Sequence, residues 1–315
     1  MNLFDNTINK ILSLSIFMDR PPVLLDIGAS GEIFEKWKLI ADKSICIAFD
    51  ADDRDFNCNA DQSSGYKKLY MFNRIVTPIA QSNCNFYLTN SPYCSSTLLP
   101  DSQSLKSWMF ANLFEVERTV TLESTTISAC LQNIGLEYID WYKVDSQGID
   151  LDLFKSIPEV IRQNILAADF EPGIMDAYIG ENKLSDLLQY LDNEKYWISS
   201  FDVKGTQRLN EEYNSYRNLL HESPCWAGIT SIKEFDCISD VRSRLLLIVF
   251  SLVENQWGYA LQVCENSLNM DHQFAVLKSE ILLIIDEIES KRDLKGKMYS
   301  KLIKVMKRVL KLNSK

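Results

Sequence analysis

The chain predicts a doubly wound α/β domain followed by a helical annex, and three observations carry that expectation. Buried-strand runs such as VLLDI (23–27) and SICIAFD (44–50) alternate with helical patterns. A glycine-bearing turn, LLDIGASGE (24–32), closes the first strand. From about residue 236 onward the strands stop, and every apolar pattern has helical spacing.

The elements follow in order. MNLFDNTINKILSLSIFM (1–18) has an acid near its start and no small-residue cleavage site, so it reads as an amphipathic helix leaning on the core, not as a signal peptide. After Pro21 and Pro22, IFEKWKLIADK (33–43) reads as a helix between the first two strands, and such a unit packs as a parallel pair. Further strands are expected at 74–80, 85–89, 138–145, 165–171, 196–203 and 225–233, with helices at 103–114, 124–134, 148–162 and 183–192. The expected division is an N-terminal helix (1–20), the α/β domain (21–235) and a helical annex (236–315) ending in a basic tail.

Composition excludes several classes. The longest apolar run, LLLIVFSLV (245–253), is half of what a membrane span requires. Residues 291–315 hold ten Lys or Arg against one Asp, whereas the first 290 carry 23 basic against 42 acidic side chains. A body that acidic argues against a nucleic-acid groove. The eight cysteines include no pair at zinc-knuckle or redox spacing, and no N-x-S/T acceptor occurs, which agrees with a reducing, cytoplasmic location.

In a parallel sheet, ligands bind where strands end and the chain turns into a helix. Asp26 stands at that end of the first strand, and Gly28, Ala29, Ser30 and Gly31 form a turn on which a small molecule can rest. A dinucleotide and a nucleoside compete for it. The pyrophosphate fingerprint G-x-G-x-x-G lacks its middle glycine here, and Glu32 stands where a phosphate would be repelled. S-adenosylmethionine, with a sulfonium, an ammonium and no phosphate, fits better. Asp50 and Ala51 end the second strand in FDADD, about 20 residues after the turn, where a carboxylate can accept both ribose hydroxyls. Asp52 is a second candidate, and both acids can equally be solvated turn residues.

Five segments taken together, LLDIGASGE, FDADD, YLTNSPYCSSTLLP, WYKVDSQGIDLDLFKSI and ADFEPGIMDAYIGENKLSDLLQYL, resemble the FkbM family of S-adenosylmethionine-dependent methyltransferases over roughly residues 22–235. KVDSQGIDLDLF is similar to that family's K-x-D-x-Q-G-x-E-x-x-x-L signature, with Asp150 in place of the usual Glu. The resemblance implies a Rossmann-like class I methyltransferase with a seven-stranded, mostly parallel sheet and helices on both faces. It also implies O-methyl transfer to a saccharide, glycan or related metabolite. The cofactor set expected is Asp26, Gly28, Ala29, Ser30, Gly31, Asp50, Ala51, Gln81, Asp145 and Gln147. A nicotinamide-dependent oxidoreductase and a non-catalytic glycan- or partner-binding scaffold are the rival readings.

Methyl transfer is an in-line displacement that depends on near-attack geometry and exclusion of water, with a base or metal to take the hydroxyl proton. Asp145 is the leading catalytic candidate, with Lys143 two residues back on the same strand face. The alternatives are a divalent cation held by Asp145 and Glu171, or an Asp145 that only pairs with Lys143 or caps the next helix. Ser95 and Ser96, in a loop (91–100) read as part of a lid, join Gln147 and Glu171 as candidate acceptor contacts. Trp141 and Trp226 are candidates to face the acceptor. His221 lies in a polar connection, and His272 reads as structural.

Met298, Leu302, Val305, Val309 and Leu312 recur at helical spacing among lysines. That pattern suits either peripheral contact with an anionic membrane surface or docking on the acidic body or a second subunit.

Overall fold

A computed structural model describes residues 3–29, 33–50, 65–209, 211–269 and 278–291. The described chain divides into two compact units, residues 15–238 and residues 1–14 with 239–315.

Among the described residues the larger unit contains ten strands: β1 (Val23–Ile27), β2 (Ile45–Phe49), β3 (Lys68–Phe72), β4 (Ile75–Val76), β5 (Asn83–Thr89), β6 (Val116–Thr125), β7 (Trp141–Val144), β8 (Ala167–Phe170), β9 (Tyr196–Thr206) and β10 (Ser223–Lys233). Seven form one sheet in the order β3-β2-β1-β7-β8-β10-β9. β3, β2, β1, β7 and β8 run parallel, while β10 is antiparallel to both β8 and β9. With helices in its connections, this is a Rossmann-like arrangement. Every residue of β1 is buried, as expected of a central strand covered on both faces. Each apolar side chain sequestered there contributes roughly 1.5–3 kcal/mol.

The expected strands at 74–80 and 85–89 leave this sheet. They become β4, only two residues long, and β5, and with β6 they make a separate three-stranded sheet in the order β4-β6-β5. β3 and β6 were not legible in the sequence. KLYMF begins with an exposed lysine at the sheet edge, and VERTVTLEST spends most of its length exposed, so neither shows a clean apolar alternation.

The expected helices are cut by local chemistry. Between β1 and β2 the chain forms two short 3-10 turns, Glu35–Leu39 and Ala41–Lys43, instead of one α-helix. Phe34, Trp37 and Ile40 recur every third residue, the period at which 3-10 side chains eclipse on one face. Trp37 and Ile40 are fully buried, and the Trp37 ring meets Trp141 edge-on at 6.1 Å. The pattern at 148–162 splits into Asp150–Ser156 and Glu159–Arg162, because Ile157 precedes Pro158 and is held extended. The one at 124–134 starts at Ile127, where the Thr126 hydroxyl accepts the Ala129 N–H and caps the helix. The one at 183–192 forms Leu184–Asn193. Its buried face adds Leu187 and Leu191 to a core in which Phe154 meets Tyr142 and Phe170 at 5.1 and 5.4 Å.

In the second unit, helix Val241–Val253 is buried almost all round, and the Arg244 guanidinium is satisfied by the Asn266 side-chain oxygen at 2.7 Å. It pairs with helix Trp257–Leu268, and residues 278–291 are also helical. The N-terminal helix, Asp5–Leu12, was expected to lean on the core as a segment of its own (1–20). It belongs instead to this unit, where Lys10 pairs with Glu287 at 3.3 Å. Among the described residues, no helix is long and apolar enough to cross a membrane. Residues 292–315, and with them the amphipathic pattern of the tail, lie outside the described residues.

Candidate functional site

The strand order reverses between β1 and β7, and ligands of open α/β sheets bind at such a switch point. Here Asp26 and Lys143 are direct cross-strand partners, with Lys143 Nζ 2.9 Å from the fully buried Asp26 Oδ1. The same ammonium donates to the Gly28 carbonyl at 2.9 Å. Asp26 Oδ2 accepts the Phe34 N–H at 2.9 Å, which ties the start of the β1–β2 connection to the sheet. Burial alone would push the Lys143 ammonium down in pKa, but Asp26 first and Asp145 next outweigh it and hold the group above its usual value. Lys143 is therefore a protonated clamp on the β1 turn and offers no lone pair to a substrate.

Gly28 adopts φ +80°, and a Cβ built on it would lie 2.2 Å from the Asp145 carbonyl oxygen. Its bare α-carbon serves the approach of the β1 turn to the end of β7. The turn is completed by Gly28 and Ala29 N–H groups donating to the Phe49 carbonyl at 2.9 and 3.1 Å.

The turn after β7 is the most heavily braced part of the site. Gln147 sits at φ +56°, a conformation costly for a side-chain-bearing residue, and every polar group of its side chain is engaged. Its amide nitrogen donates to Asp145 Oδ1, its amide oxygen accepts from the Tyr178 hydroxyl at 2.9 Å, and its backbone carbonyl accepts from Ser96 at 2.7 Å. Gly148 follows at φ +117°, with Leu98 and Glu181 close by. Asp150, almost fully buried, accepts from the Ser146 N–H and hydroxyl and from the Glu171 N–H at 2.8 Å, so one carboxylate joins the ends of β7 and β8.

Two cavities open on this turn. A cleft lies over the ends of β1 and β2, bordered by Gly28, Phe49, Asp50, Arg74, Ser95 and Asp145. A second, roomier one lies over the end of β8, bordered by Tyr93, Phe114, Glu171, Tyr178, Trp226 and Asp145. Tyr93, Asp145 and Gln147 border both. The small sheet supplies part of the first wall through Ile75, Val76 and Phe86.

The residues singled out in the sequence distribute unevenly over this geometry. Asp26, Gly28, Ala29, Asp50, Asp145 and Gln147 gather at the switch point, with Asp50 buried at the end of β2 and its N–H on the Phe72 carbonyl at 3.2 Å. Ser30, Gly31, Glu32, Ala51, Asp52 and His272 lie outside the described residues. Gln81 is exposed beside the small sheet, where its carbonyl accepts from Ser124, and it borders neither cavity. Arg74, which follows the turn out of β3 and pairs with Glu123 at 3.0 Å, borders the first cleft. Ser95 borders the first cleft instead of the second. Ser96 is fully buried, donating to Gln147 and accepting the Leu98 N–H at 3.0 Å, so it fastens the turn after β7 and is closed to a ligand.

The loop 91–100 is anchored, not loose. The single Tyr178 hydroxyl proton is shared between Gln147 Oε1 and the Cys94 carbonyl, the latter at 2.8 Å, and Pro100 bridges to Tyr178. Trp226 faces the second cavity, whereas Trp141 is a core residue whose indole N–H donates to Asp169 at 2.6 Å. His221 is exposed and borders neither cavity. Sequence reasoning missed Asp150 and Tyr178 as parts of the site. Asp150 was visible only as a substitution inside the quoted signature, and Tyr178 as an aromatic in a loop after a strand.

The carboxylates interact. Burial pushes Asp145 up, against the pull of Lys143 and the Gln147 hydrogen bond. Asp150 is pushed up to about 6 by burial and then by the Asp145 charge. Glu171 rises to about 8, through enclosure by the cavity wall and then the charges of Asp145 and Asp150. The Glu171 carboxylate is reached by solvent along its cavity face and makes no hydrogen bond or ion pair among the described residues. Asp145 and Glu171 would bring two oxygen ligands to a cation. No group of three or more His, Cys, Asp or Glu suited to a metal occurs among the described residues.

No protein-family model matches the chain, and no curated protein matches it.

Proposed function

We propose that the protein is an S-adenosylmethionine-dependent methyltransferase of FkbM type, acting on a hydroxyl of a saccharide or related metabolite. The observation that carries this reading is the pair of cavities meeting at Asp145 and Gln147. Displacement at a sulfonium methyl needs donor and acceptor in adjoining, separately walled spaces with one shared face, and this turn is that face.

The first cleft suits the donor. Carboxylates stand at the ends of β2 and β7, where Asp50 can accept ribose hydroxyls and Asp145 can face the cationic end of the cofactor. The antiparallel β10 inserted between β8 and β9 also replaces the second parallel half that a dinucleotide fold uses for its other nucleotide. The seven-stranded, mostly parallel sheet is the one the FkbM resemblance implies.

In the transfer itself, the chain's residues orient and take a proton. Lys143 and Asp26 fix the β1 turn, and Gln147 holds the Asp145 carboxylate toward the shared face. When bound, the cofactor supplies the electrophilic methyl. Asp145 or Glu171 receives the acceptor proton, and burial with neighbouring negative charge raises both carboxylates above the ordinary range, toward the basicity that proton transfer needs.

Isothermal calorimetry with S-adenosylmethionine, S-adenosylhomocysteine and NAD tests the reading. Saturable binding of the first two and none of the third is expected. Binding of NAD alone, or of none, would overturn it.

A further inference from the structure

The second cavity says more about its occupant than about its reaction. We infer that it takes a molecule with an apolar ring face and no acidic group, so phosphorylated and carboxylated compounds are excluded. Calling that molecule the methyl acceptor rests on the reading above, but the inference about its charge does not.

The first observation is the wall. Phe110 stands 5.3 Å from Phe114 and 6.1 Å from Trp226, and Phe114 meets Tyr178 at 5.6 Å, a continuous aromatic surface along one side. Aromatic faces bind the C–H face of a ring and attract cations through their negative quadrupole. They offer nothing to an anion.

The second observation is the charge opposite that wall. Glu171 presents a carboxylate with no partner among the described residues, and Asp145 lies beside it. No Lys or Arg among the described residues borders the cavity. Nearby lysines are committed elsewhere: Lys183 to Glu181 and Asp176, Lys204 to Asp202, and Lys143 to Asp26. An anionic ligand would lose hydration and meet like charge with no donor fork to receive it. A hydroxyl or ammonium can donate to Glu171 while its ring lies on Trp226 and Phe114.

Three probes that share one ring and differ in charge decide the matter: cyclohexanemethanol, cyclohexanemethylamine and cyclohexanecarboxylate. They are titrated at millimolar concentration by ligand-observed NMR against the full chain at pH about 8.5, where Glu171 is largely ionised. The amine is expected to bind about tenfold or more tightly than the carboxylate, with the alcohol between them. In Glu171→Gln the amine should lose most of that advantage. Equal or tighter binding of the carboxylate, no binding by any of the three, or a charge preference unchanged in Glu171→Gln would overturn the inference. Because the probes do not require cofactor, failure of S-adenosylmethionine binding with the charge order intact would remove the methyl-transfer reading alone. Cofactor binding with the order reversed would remove this inference alone.

Discussion

Gly28 and Asp145 pack so closely that the β1 turn and the end of β7 behave as one unit: the space a side chain would need at Gly28 is already filled by the Asp145 carbonyl. The two turns that border the first cleft are thus set by a single backbone contact.

Gly28→Ala should therefore damage both stability and the site. A left-handed alanine costs roughly 1–2 kcal/mol, and the clash with backbone cannot be relieved by rotating a side chain. A total loss of about 2–4 kcal/mol is expected in urea denaturation. A loss below about 0.5 kcal/mol would mean that the two turns are not in this contact.

Lys143 is expected to stabilise the fold through Asp26. Lys143→Met leaves a fully buried carboxylate with only the Phe34 N–H, and breaking one side of a buried pair costs about 3–5 kcal/mol. Adding Asp26→Asn should restore part of that loss, measured as a double-mutant cycle. If the two changes add independently, the pairing is not a stabilising one.

Asp50→Ala should weaken S-adenosylhomocysteine binding by about 1–3 kcal/mol, the worth of a charge-assisted hydrogen-bond pair, without unfolding the chain. Calorimetry on a variant with unchanged circular dichroism checks this. Unchanged affinity would place the nucleoside elsewhere.

Glu171 gives the protein a pH signature. Its native pKa of about 8 lies above the ordinary carboxylate value, so the native state binds this proton more tightly than the unfolded chain. The stability it contributes is complete below the ordinary value and is lost as pH rises through 8. Melting temperature should fall between about pH 5 and pH 8 in the wild type, and Glu171→Gln should flatten that fall. Asp145→Asn removes one of the charges that raise Glu171, so carbon-detected NMR should show Glu171 titrating lower. A wild-type Glu171 that titrates near pH 4.5 would show that the cavity wall and the neighbouring carboxylates do not raise it.

Local patterns reach a definite depth. VLLDI and SICIAFD announce buried parallel strands, and the glycine turn after Asp26, with Asp50 about 20 residues on, marks a binding edge, because apolar runs and φ-permissive residues act within a few positions of themselves. Those features determined the α/β class and pointed to Asp26, Gly28 and Asp50, while Asp145 and Gln147 came from the signature that resembles a known family; the fold brings all five to the switch point. They did not reveal that Phe34, Trp37 and Ile40 wind a 3-10 turn, that 75–76 and 83–89 leave the main sheet, or that Gln81 lies away from the ligand edge.

Tertiary structure alone decided how side chains are spent. Ser96 and Ser95 are neighbours of the same type, yet one fastens Gln147 in the interior and the other borders the first cleft. Lys143 could have served Asp145 by strand alternation, and it serves Asp26 because the sheet sets β1 beside β7. Asp150 reaches β8 through a group 21 residues away, and Tyr178 reaches the turn after β7 through one 31 residues away. Partnerships across such separations depend on strand register and packing, which no local pattern encodes.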